Sequence, residues 1–359
     1  MPEFARHFLD SRLRENEKPF INFSLKNMTI KPSVKVIFDT DPGVDDAMAL
    51  YYALAHPGID VVGITTTFGN VTVAQAAVNA LYLCAIAGQP NIPVTQGVAA
   101  PLVRQSEAKF DFIHGADGLG NLPSRVTTSN TLDPRTSAQF IVDMARAQPG
   151  AITLVAVGPL GNLALALQLE PSLPKLLKEV IIMGGTVIEP GNVSPVAEAN
   201  VWNDPHAADK VFIAGFKLTM VGLDVTHRVI VPVALIKAIA DKQRHIACDV
   251  LAHAVGFYAN FYSGLYPHVA KIHGCFGHDV LAFICLTNRE LFTIESGRVR
   301  VALDGIAMGQ TMMNRKQFID YPQAGWGPGI PQTDVCMAVV APACHAVFEQ
   351  TLLGNWLGQ

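Results

Sequence analysis

Four aspartates crowd one short segment, in the run DTDPGVDD: Asp39, Asp41, Asp45 and Asp46. The segment lies where a predicted strand turns into a predicted helix. Asp is common near helix N-termini, and helix capping would account for one or two of the four. Four carboxylates in one turn repel each other unless a cation neutralises them, so we favour a divalent metal site over capping. Because the donors are all hard oxygens, Ca²⁺ or Mg²⁺ suits the segment better than zinc.

Further polar residues stand just beyond other predicted strands. Asn70 follows one of these strands and, taken alone, is typical of a simple turn. The loop at 191–200 carries Asn192, Glu198 and Asn200 at even spacing. In extended backbone, even spacing directs all three side chains to one side, which suits hydrogen bonding to the hydroxyls of a sugar. A polar surface loop is an equally good interpretation of this pattern.

Two histidines and a row of tyrosines are the candidates for acid–base chemistry. His278 stands beside Asp279 at the start of a predicted helix, where the pair could transfer protons and where Asp279 could equally be a helix cap. His114 lies near a glycine-rich segment, and by itself it favours a structural role. Tyrosines recur at every fourth residue of a helical stretch, a pattern typical of a core-facing stripe, which we favour for at least two of them: Tyr258, Tyr262 and Tyr266.

The elements that must position these residues alternate along the chain. Runs rich in Val and Ile predict strands at residues 34–38, 61–67, 152–157, 179–183, 217–223 and 335–341. Helical periodicity predicts helices at residues 45–55, 73–87, 163–169, 280–286 and 343–353. This alternation predicts an α/β fold, a single open domain with a mostly parallel central sheet flanked by helices. Residues 298–302 alternate polar and apolar side chains, which favours an exposed or antiparallel edge strand.

The composition excludes several classes of protein. The chain has 359 residues, of which 50% are hydrophobic and 16% are charged, so it is not a disordered chain. A net charge of −4 without a basic stripe argues against nucleic acid or an anionic membrane as partner. The apolar runs are too short to span a bilayer. Six scattered cysteines without a C-x-x-C motif predict buried thiols in a reducing compartment.

We expect the chain to divide into an irregular N-terminal leader, residues 1–33, and one ordered domain, residues 34–359. The leader lacks the apolar core of a secretory signal, and its acidic residues do not suit a mitochondrial presequence. We therefore expect a cytoplasmic protein, with an organelle not excluded.

The run DTDPGVDD after a buried strand resembles the signature of the nucleoside hydrolases, which hydrolyse ribonucleosides to base and ribose. Other segments resemble that family in the same order and at similar spacing: VVGITTTFGN, HGADGLG, LVAVGPLGNLALAL, IIMGG, GNVSPVAEANVWNDPHAA and GHDVLAF. Together these segments extend the resemblance from about residue 34 to the C-terminus.

The resemblance implies an open α/β fold and a tightly bound Ca²⁺ at the base of the pocket. The metal would be held by the carboxylates of Asp41, Asp46 and Asp279 and the backbone carbonyl of Val157. Asp41 would also be the general base that activates the bound water. The resemblance further implies that one set of residues binds the ribose hydroxyls: Asp45, Asn70, Met183, Asn192, Glu198, Asn200 and Asp279.

In the inosine–uridine-preferring members of the family, two histidines correspond to His278, which would lie near the leaving base, and His114. The leaving base would be protonated by His278 or by a His–Tyr relay, with Tyr262 as a substrate-binding residue. No tryptophan stands next to either histidine, so we do not expect the base to stack between tryptophans as in the purine-specific branch. Inosine and guanosine are mildly favoured as substrates because their bases are protonatable at N7, and uridine remains an alternative.

Two other functions remain alternatives. A Ca²⁺-dependent nucleoside-binding module without catalysis would need the same site. A haloacid-dehalogenase-like phosphatase also begins a D-x-D motif after a strand, but it expects Thr or Val where Gly43 stands. The expected partner is a small-molecule ribonucleoside, and the resemblance implies a homo-oligomer, either a dimer or a tetramer.

Overall fold

A mostly parallel sheet forms the centre of the part of the chain that the structure describes. This structure is a computed structural model, and it describes residues 33–105, 111–316, 319, 321 and 325–357. Its strands are β1 (Val34–Thr40), β2 (Ile59–Thr66), β3 (Val94–Gln96), β4 (Ile152–Ala156), β5 (Glu179–Met183), β6 (Leu218–Val221), β7 (Ile230–Pro232), β8 (Gly274–Phe276), β9 (Phe292–Val301), β10 (Thr311–Asn314) and β11 (Thr333–Val339).

Helices connect most of these strands. They are α1 (Val44–Ala55), α2 (Val73–Ile86), α3 (Asp111–His114), α4 (Ser137–Ala147), α5 (Gly161–Leu169), α6 (Leu173–Leu176), α7 (Ala199–Asn203), α8 (Pro205–Phe212), α9 (Leu223–Thr226), α10 (Val233–Gln243), α11 (Ile246–Leu265), α12 (Pro267–Ile272), α13 (Val280–Thr287) and α14 (Ala341–Leu352).

The main sheet has nine strands in the order β10-β9-β11-β6-β5-β4-β1-β2-β3. From β3 to β11 all neighbouring strands are parallel, whereas β9 pairs antiparallel with both β11 and β10. Strands β7 and β8 form a separate antiparallel pair. The predicted fold, a mostly parallel sheet flanked by helices, is confirmed.

Both faces of the sheet are covered, which explains why its central strands are continuously apolar. All five residues of β4 are buried. In β1, Val36 and Phe38 pack into one hydrophobic cluster, whereas Ile37 between them packs into the other. Parallel strands joined by covering helices bring their carboxyl ends to one edge, where ligands bind in open α/β folds.

The structure corrects several predicted boundaries. The strand predicted at 61–67 runs from Ile59 to Thr66, and the helix predicted at 343–353 begins at Ala341. Residues 298–302 fall largely in β9, which is antiparallel as predicted but lies inside the sheet, because β10 is the edge strand. Residues 1–32 of the predicted leader lie outside the described residues.

Two other predictions can be compared with the described residues. All six cysteines are buried free thiols that form no disulfide, as the sequence predicted. None of the helices that the structure describes is both long enough and apolar enough to cross a membrane.

Candidate active site

A cavity of about 260 Å³ lies where several parallel strands end. Most of the residues that the sequence singled out line it: Asp45, Asn70, His114, Val157, Met183, Asn192, Glu198, Asn200, Tyr262, His278 and Asp279. Asp41 and Asp46 do not line it and are fully buried. A second cavity, of about 340 Å³, lies along β10, and none of the predicted site residues lines it.

Asp46 organises the turn between β1 and α1. Its carboxylate accepts hydrogen bonds from the backbone N–H of Gly43 (2.9 Å) and Asp41 (3.2 Å), and from the side-chain amide of Asn70 (2.9 Å). The Thr40 hydroxyl donates to the same carboxylate. The sequence folds this way because Asp46 occupies the third position of α1, from which a carboxylate can reach back to the N-cap backbone.

Asp39 does not belong to the carboxylate cluster, contrary to the prediction from the sequence. Its Oδ1 accepts hydrogen bonds from the Thr65 hydroxyl (2.5 Å) and the Asn162 amide (2.7 Å). Burial raises the pKa of Asp39 to about 6. Side chains alternate along a strand, so Asp39 shares a sheet face with Ile37 and points away from the turn.

Asp279 joins the cluster instead, from the start of α13. Carboxylate oxygens of Asp45, Asp46 and Asp279 lie within 4.8 Å of one another. Asp279 stands at the N-cap position of α13, but its side chain makes no capping hydrogen bond. Burial raises the pKa of each of these carboxyls, and repulsion by neighbouring carboxylates raises that of Asp45 and Asp279 further.

These carboxylates fit a hard cation. Three buried oxygens have no hydrogen-bond partner: Asp41 Oδ1, Asp45 Oδ1 and Asp279 Oδ2. The donors are all oxygens, the set that Ca²⁺ and Mg²⁺ prefer. A cation among them would offset both the repulsion and the missing hydrogen bonds.

Asp41 is enclosed by backbone. Its Oδ2 accepts a hydrogen bond from the Asn70 N–H (2.6 Å). A Cβ on Gly158 would lie 2.6 Å from Asp41 Oδ1, so only glycine allows the chain after β4 to approach this closely. Burial, followed by repulsion from Asp46, raises the pKa of Asp41 well above its usual value. The carboxylate therefore has one hydrogen-bonded oxygen and one free oxygen, which lies beside Gly158.

Polar groups from the segment after β5 form another wall. Glu198 accepts hydrogen bonds from the N–H groups of Gly185 (2.8 Å), Asn200 (2.8 Å) and Val201 (3.1 Å), and burial raises its pKa to about 6. The Asn200 amide donates to the carbonyl of Val157 (2.7 Å). The predicted extended row is wrong here, because Glu198 is the N-cap of α7 and Asn200 lies in its first turn.

Asn192 lies in the same segment after β5 and also lines the cavity. Its Oδ1 accepts a hydrogen bond from the Ala199 N–H (3.0 Å), so its amide nitrogen is left for the cavity. The carbonyl of Met183 accepts from Asn200 Nδ2 at 3.2 Å. These contacts hold the three predicted polar side chains at the cavity although the backbone is helical at Asn200.

His114 faces the aspartate turn as a neutral imidazole. The backbone N–H of Val44 donates to its Nδ1 (3.2 Å), so the ring proton is at Nε2. Burial lowers the pKa of His114 to about 3. A Cβ on Gly43 would lie 2.6 Å from Nδ1, which explains why glycine stands at this point of the DTDPGVDD run.

A row of hydrogen bonds runs along the cavity wall from α11 to the residues that precede α13. Tyr258 donates to Asp45 Oδ2 (3.0 Å), the hydroxyls of Tyr258 and Tyr262 are 3.2 Å apart, and Tyr262 is 3.0 Å from His278 Nε2. His278 Nδ1 lies 2.8 Å from the Thr226 hydroxyl. We call these five residues the hydroxyl chain.

The tyrosine stripe is both core and site. Tyr258 and Tyr262 are 1% and 7% exposed, as expected of a core stripe, yet their hydroxyls belong to the hydroxyl chain. Several other residues that line the cavity were not predicted from the sequence: Phe112, Ile113, Val193, Ala199, Phe261 and Leu265. Phe261 and Leu265 could have been found by extending the stripe of α11 by three- and four-residue steps. None of the three tryptophans lines the cavity, as expected.

Comparisons with known proteins agree with this architecture. The sequence profile of the family described as inosine-uridine preferring nucleoside hydrolase matches residues 36–346. A probable uridine nucleosidase of Oryza sativa subsp. japonica is 39% identical over 325 residues, covering 89% of this chain and 96% of that protein. An inosine-uridine preferring nucleoside hydrolase of Leishmania major is 36% identical over 282 residues, covering 78% and 87%.

A solved structure agrees as well. A plant nucleoside hydrolase superposes with a TM-score of 0.84 at 35% identity, covering 90% of this chain and all of that chain. The profile match at residues 36–346 includes the aspartate turn and the residues that line the cavity. The chain belongs to the nucleoside hydrolase family.

Proposed function

We propose that this protein hydrolyses the N-glycosidic bond of ribonucleosides. In the balanced reaction the oxygen of water bonds to C1′ of ribose, the bond from C1′ to the base breaks, and one water proton ends on the base. The observation that supports this most strongly is one cavity that combines buried, partly unpartnered carboxylates with the hydroxyl chain. Family membership supports the same reaction class.

The family is metal-dependent, and we propose Ca²⁺ as the ion. Its ligands would be Asp41, Asp46, Asp279 and the carbonyl of Val157, with Asp45 close to them. The ion would lower the pKa of a water molecule, and it would compensate the buried negative charge. The three carboxylates with oxygens within 4.8 Å of one another include Asp45 and not Asp41. The role of Asp41 as a ligand is therefore part of the proposal.

Asp41 is the proposed general base. It has a free, buried oxygen, and the Asn70 N–H orients its other oxygen. An ionised carboxylate in this position can accept the proton that water loses as its oxygen bonds to C1′. The short distance between Gly158 and Asp41 limits the space around that oxygen.

The sugar is proposed to bind among the polar groups of the cavity floor. Ribose hydroxyls can donate to the free oxygens of Asp45 and Asp279 and to Asn200 Oδ1, and can accept from the amides of Asn70 and Asn192. Glycosidic cleavage passes through a cationic, oxocarbenium-like sugar. Fixed carboxylates around the ring favour that charge, so the same groups would bind the ribose and stabilise the transition state.

The leaving base is proposed to receive its proton from Tyr262. Burial lowers the pKa of His278 well below its usual value, so the ring is neutral. A neutral ring can donate a hydrogen bond but is not a charged acid. When the Tyr262 hydroxyl turns from Tyr258 to the base, its oxygen still accepts from His278 Nε2. His278 thus supports the proton transfer that Tyr262 carries out.

The preferred base is a separate part of the proposal. The sequence favoured inosine and guanosine mildly, whereas the two relatives described above carry uridine or inosine–uridine in their names. Aromatic and aliphatic side chains on this wall would contact either kind of base: Phe112, Phe261, Leu265 and Tyr266. We therefore place uridine and inosine first among the substrates to be tested.

A panel of kcat/KM values across uridine, inosine, guanosine, cytidine and adenosine, measured with Ca²⁺, tests the function. The proposal expects turnover of uridine or inosine, with base and ribose as products. Binding of nucleosides without turnover would favour the non-catalytic module. Hydrolysis of p-nitrophenyl phosphate alone would favour the phosphatase.

Three further expectations belong to the proposal. The protein is proposed to be a dimer or tetramer, which sedimentation at several concentrations would test. The division into a leader at 1–33 and a catalytic domain at 34–359 would be tested by assaying a protein that lacks the leader. The cytoplasmic location would be tested by fractionation.

A further inference from the structure

Thr226 anchors the inner end of the hydroxyl chain. It is the last residue of α9, it is fully buried, and it is not among the residues that line the cavity. Its hydroxyl is 2.8 Å from His278 Nδ1. A side chain that does not line the cavity therefore contacts the imidazole that supports Tyr262.

Donor and acceptor capacities give the hydroxyl chain a direction. Tyr258 donates its only proton to Asp45, so its oxygen must accept from Tyr262. Tyr262 then has no proton left for His278, so it must accept from His278 Nε2–H. A neutral imidazole that is protonated at Nε2 is an acceptor at Nδ1. The Thr226 hydroxyl is therefore the donor in the last hydrogen bond.

The direction matters for the Tyr262 proton. With His278 in the Nε2–H form, Tyr262 can turn its proton to the leaving base and keep its hydrogen bond from His278. With His278 in the Nδ1–H form, Nε2 would be an acceptor and would bind the Tyr262 proton instead. The tautomer of His278 thus decides whether that proton is available.

Two aromatic rings lie beside the imidazole, and neither of them makes a hydrogen bond with it. The rings of His227 and Phe276 lie 5.7 and 5.6 Å from the His278 ring, measured between centroids. His227 is itself directed toward Glu189, with its Nδ1 3.7 Å from Glu189 Oε1. At Nδ1 the hydrogen-bond partner of His278 is Thr226.

We propose that Thr226 is a positioning residue: its hydroxyl donates to His278 Nδ1 and so holds the imidazole with its Nε2–H directed at Tyr262, the arrangement that keeps the Tyr262 proton available to the departing base. This inference rests on the proposed hydrolase function. It assigns Thr226 no contact with substrate or cation.

The kinetic test compares Thr226→Val with Thr226→Ser. Valine keeps the shape of threonine without the hydroxyl, and serine restores the hydroxyl. Thr153→Val is the matched control, because Thr153 is fully buried and its hydroxyl has no partner among the described residues. Each protein is assayed on inosine and on p-nitrophenyl riboside, whose leaving group departs without protonation.

On inosine we expect Thr226→Val to lower kcat about 10- to 100-fold, less than the roughly 10²–10⁴-fold expected of His278→Ala, because only the positioning of the proton donor is lost. On p-nitrophenyl riboside the same variant should be within about twofold of wild type. Thr226→Ser should recover most of the rate on inosine, and Thr153→Val should match wild type. Equal losses on both substrates, no loss on inosine, or a serine variant as slow as the valine variant would each overturn the inference.

A spectroscopic test does not depend on turnover. With ¹⁵N-labelled histidine, long-range ¹H–¹⁵N spectra distinguish protonated from unprotonated ring nitrogens, and His278→Asn assigns the signals. Wild type should show protonated Nε2 and unprotonated, hydrogen-bonded Nδ1, and in Thr226→Val the Nδ1 resonance should move to the position of a nitrogen without a hydrogen bond. An unchanged spectrum in the variant would overturn the inference. Failure of wild type to hydrolyse any nucleoside would instead overturn the proposed function, with the tautomer still observable.

Discussion

The Asp41 carboxylate has two oxygens in different surroundings. One accepts a hydrogen bond from Asn70, and the other is buried without a partner. Asp41→Asn keeps the size of the side chain but removes the proton acceptor, so we expect kcat to fall by about 10²–10⁴-fold or more. Steady-state kinetics and calorimetry on the same samples would show lost turnover with retained nucleoside binding.

The control for this change is Asp249→Asn, the same substitution at an exposed position of α11. It should leave kcat unchanged. Near-native kcat in Asp41→Asn would place the general base elsewhere.

The free oxygens of Asp45 and Asp279 predict strong selection for ribose over deoxyribose. A site built to bind a hydroxyl leaves its own polar groups unpaired when that hydroxyl is missing, and such sites reject the analogue by about 10⁴-fold. We expect kcat/KM for 2′-deoxyinosine to be lower than for inosine by about this factor. Equal values for the two nucleosides would contradict the role of these oxygens.

Individual site residues were predictable from the sequence to different degrees. Asp41, Asp45 and Asp46 were found because they crowd one turn. Asp39 was grouped with them wrongly, because the partners that hold it away from the turn lie in β2 and α5. The role of Asp279 in the cluster depends on a contact more than 200 residues distant in the chain, which local patterns do not encode; only the family resemblance indicated it.

At the scale of elements, helix α2 joins the aspartate turn to the loop that follows His114. Asn79 lies on α2, fully buried. Its amide nitrogen donates to the carbonyls of Pro42 (2.8 Å) and Asp117 (2.9 Å), and its Oδ1 accepts from Arg125 (2.8 Å). The Asn79 side chain thus connects the aspartate turn to the loop that follows His114.

Asn79→Ala should therefore destabilise the protein and reduce its activity. It leaves the buried Pro42 carbonyl without this partner, which costs about 1–3 kcal/mol, whereas the Asp117 carbonyl keeps its hydrogen bond from Arg125. Denaturant unfolding should show a lower free energy of unfolding, whereas Asn91→Ala, at an exposed position, should change it by less than about 0.5 kcal/mol. Equal stability of Asn79→Ala and wild type would contradict this role.

The central parallel strands were predictable because burial on both faces makes them continuously apolar. The β7–β8 pair was not predicted, because three-residue strands such as Gly274–Phe276 are too short to show a periodic pattern. The helical turn at Asn200 was missed because its Asn and Glu residues suit an extended loop and a helix start equally well.

At the scale of the whole molecule, a cation would link the turn after β1 to the start of α13. A ligand that binds only the folded state stabilises it by about 2.7 kcal/mol at a hundredfold excess over Kd. We therefore expect the melting temperature to rise with Ca²⁺ and to fall with a chelator. In Asp279→Asn this difference should largely disappear, whereas identical melting of wild type in Ca²⁺ and in chelator would contradict a cation site.

The most direct test of the central claim is the chemistry of the products. Purified protein with Ca²⁺ and either uridine or inosine, in a buffer free of phosphate, should release free base and reducing sugar in equal amounts, as measured by chromatography and a reducing-sugar assay. The Asp41→Asn protein should release neither. If calcium-loaded protein binds both nucleosides and leaves them intact, or if Asp41→Asn releases base as fast as wild type, the account of this site as a hydrolytic centre is wrong.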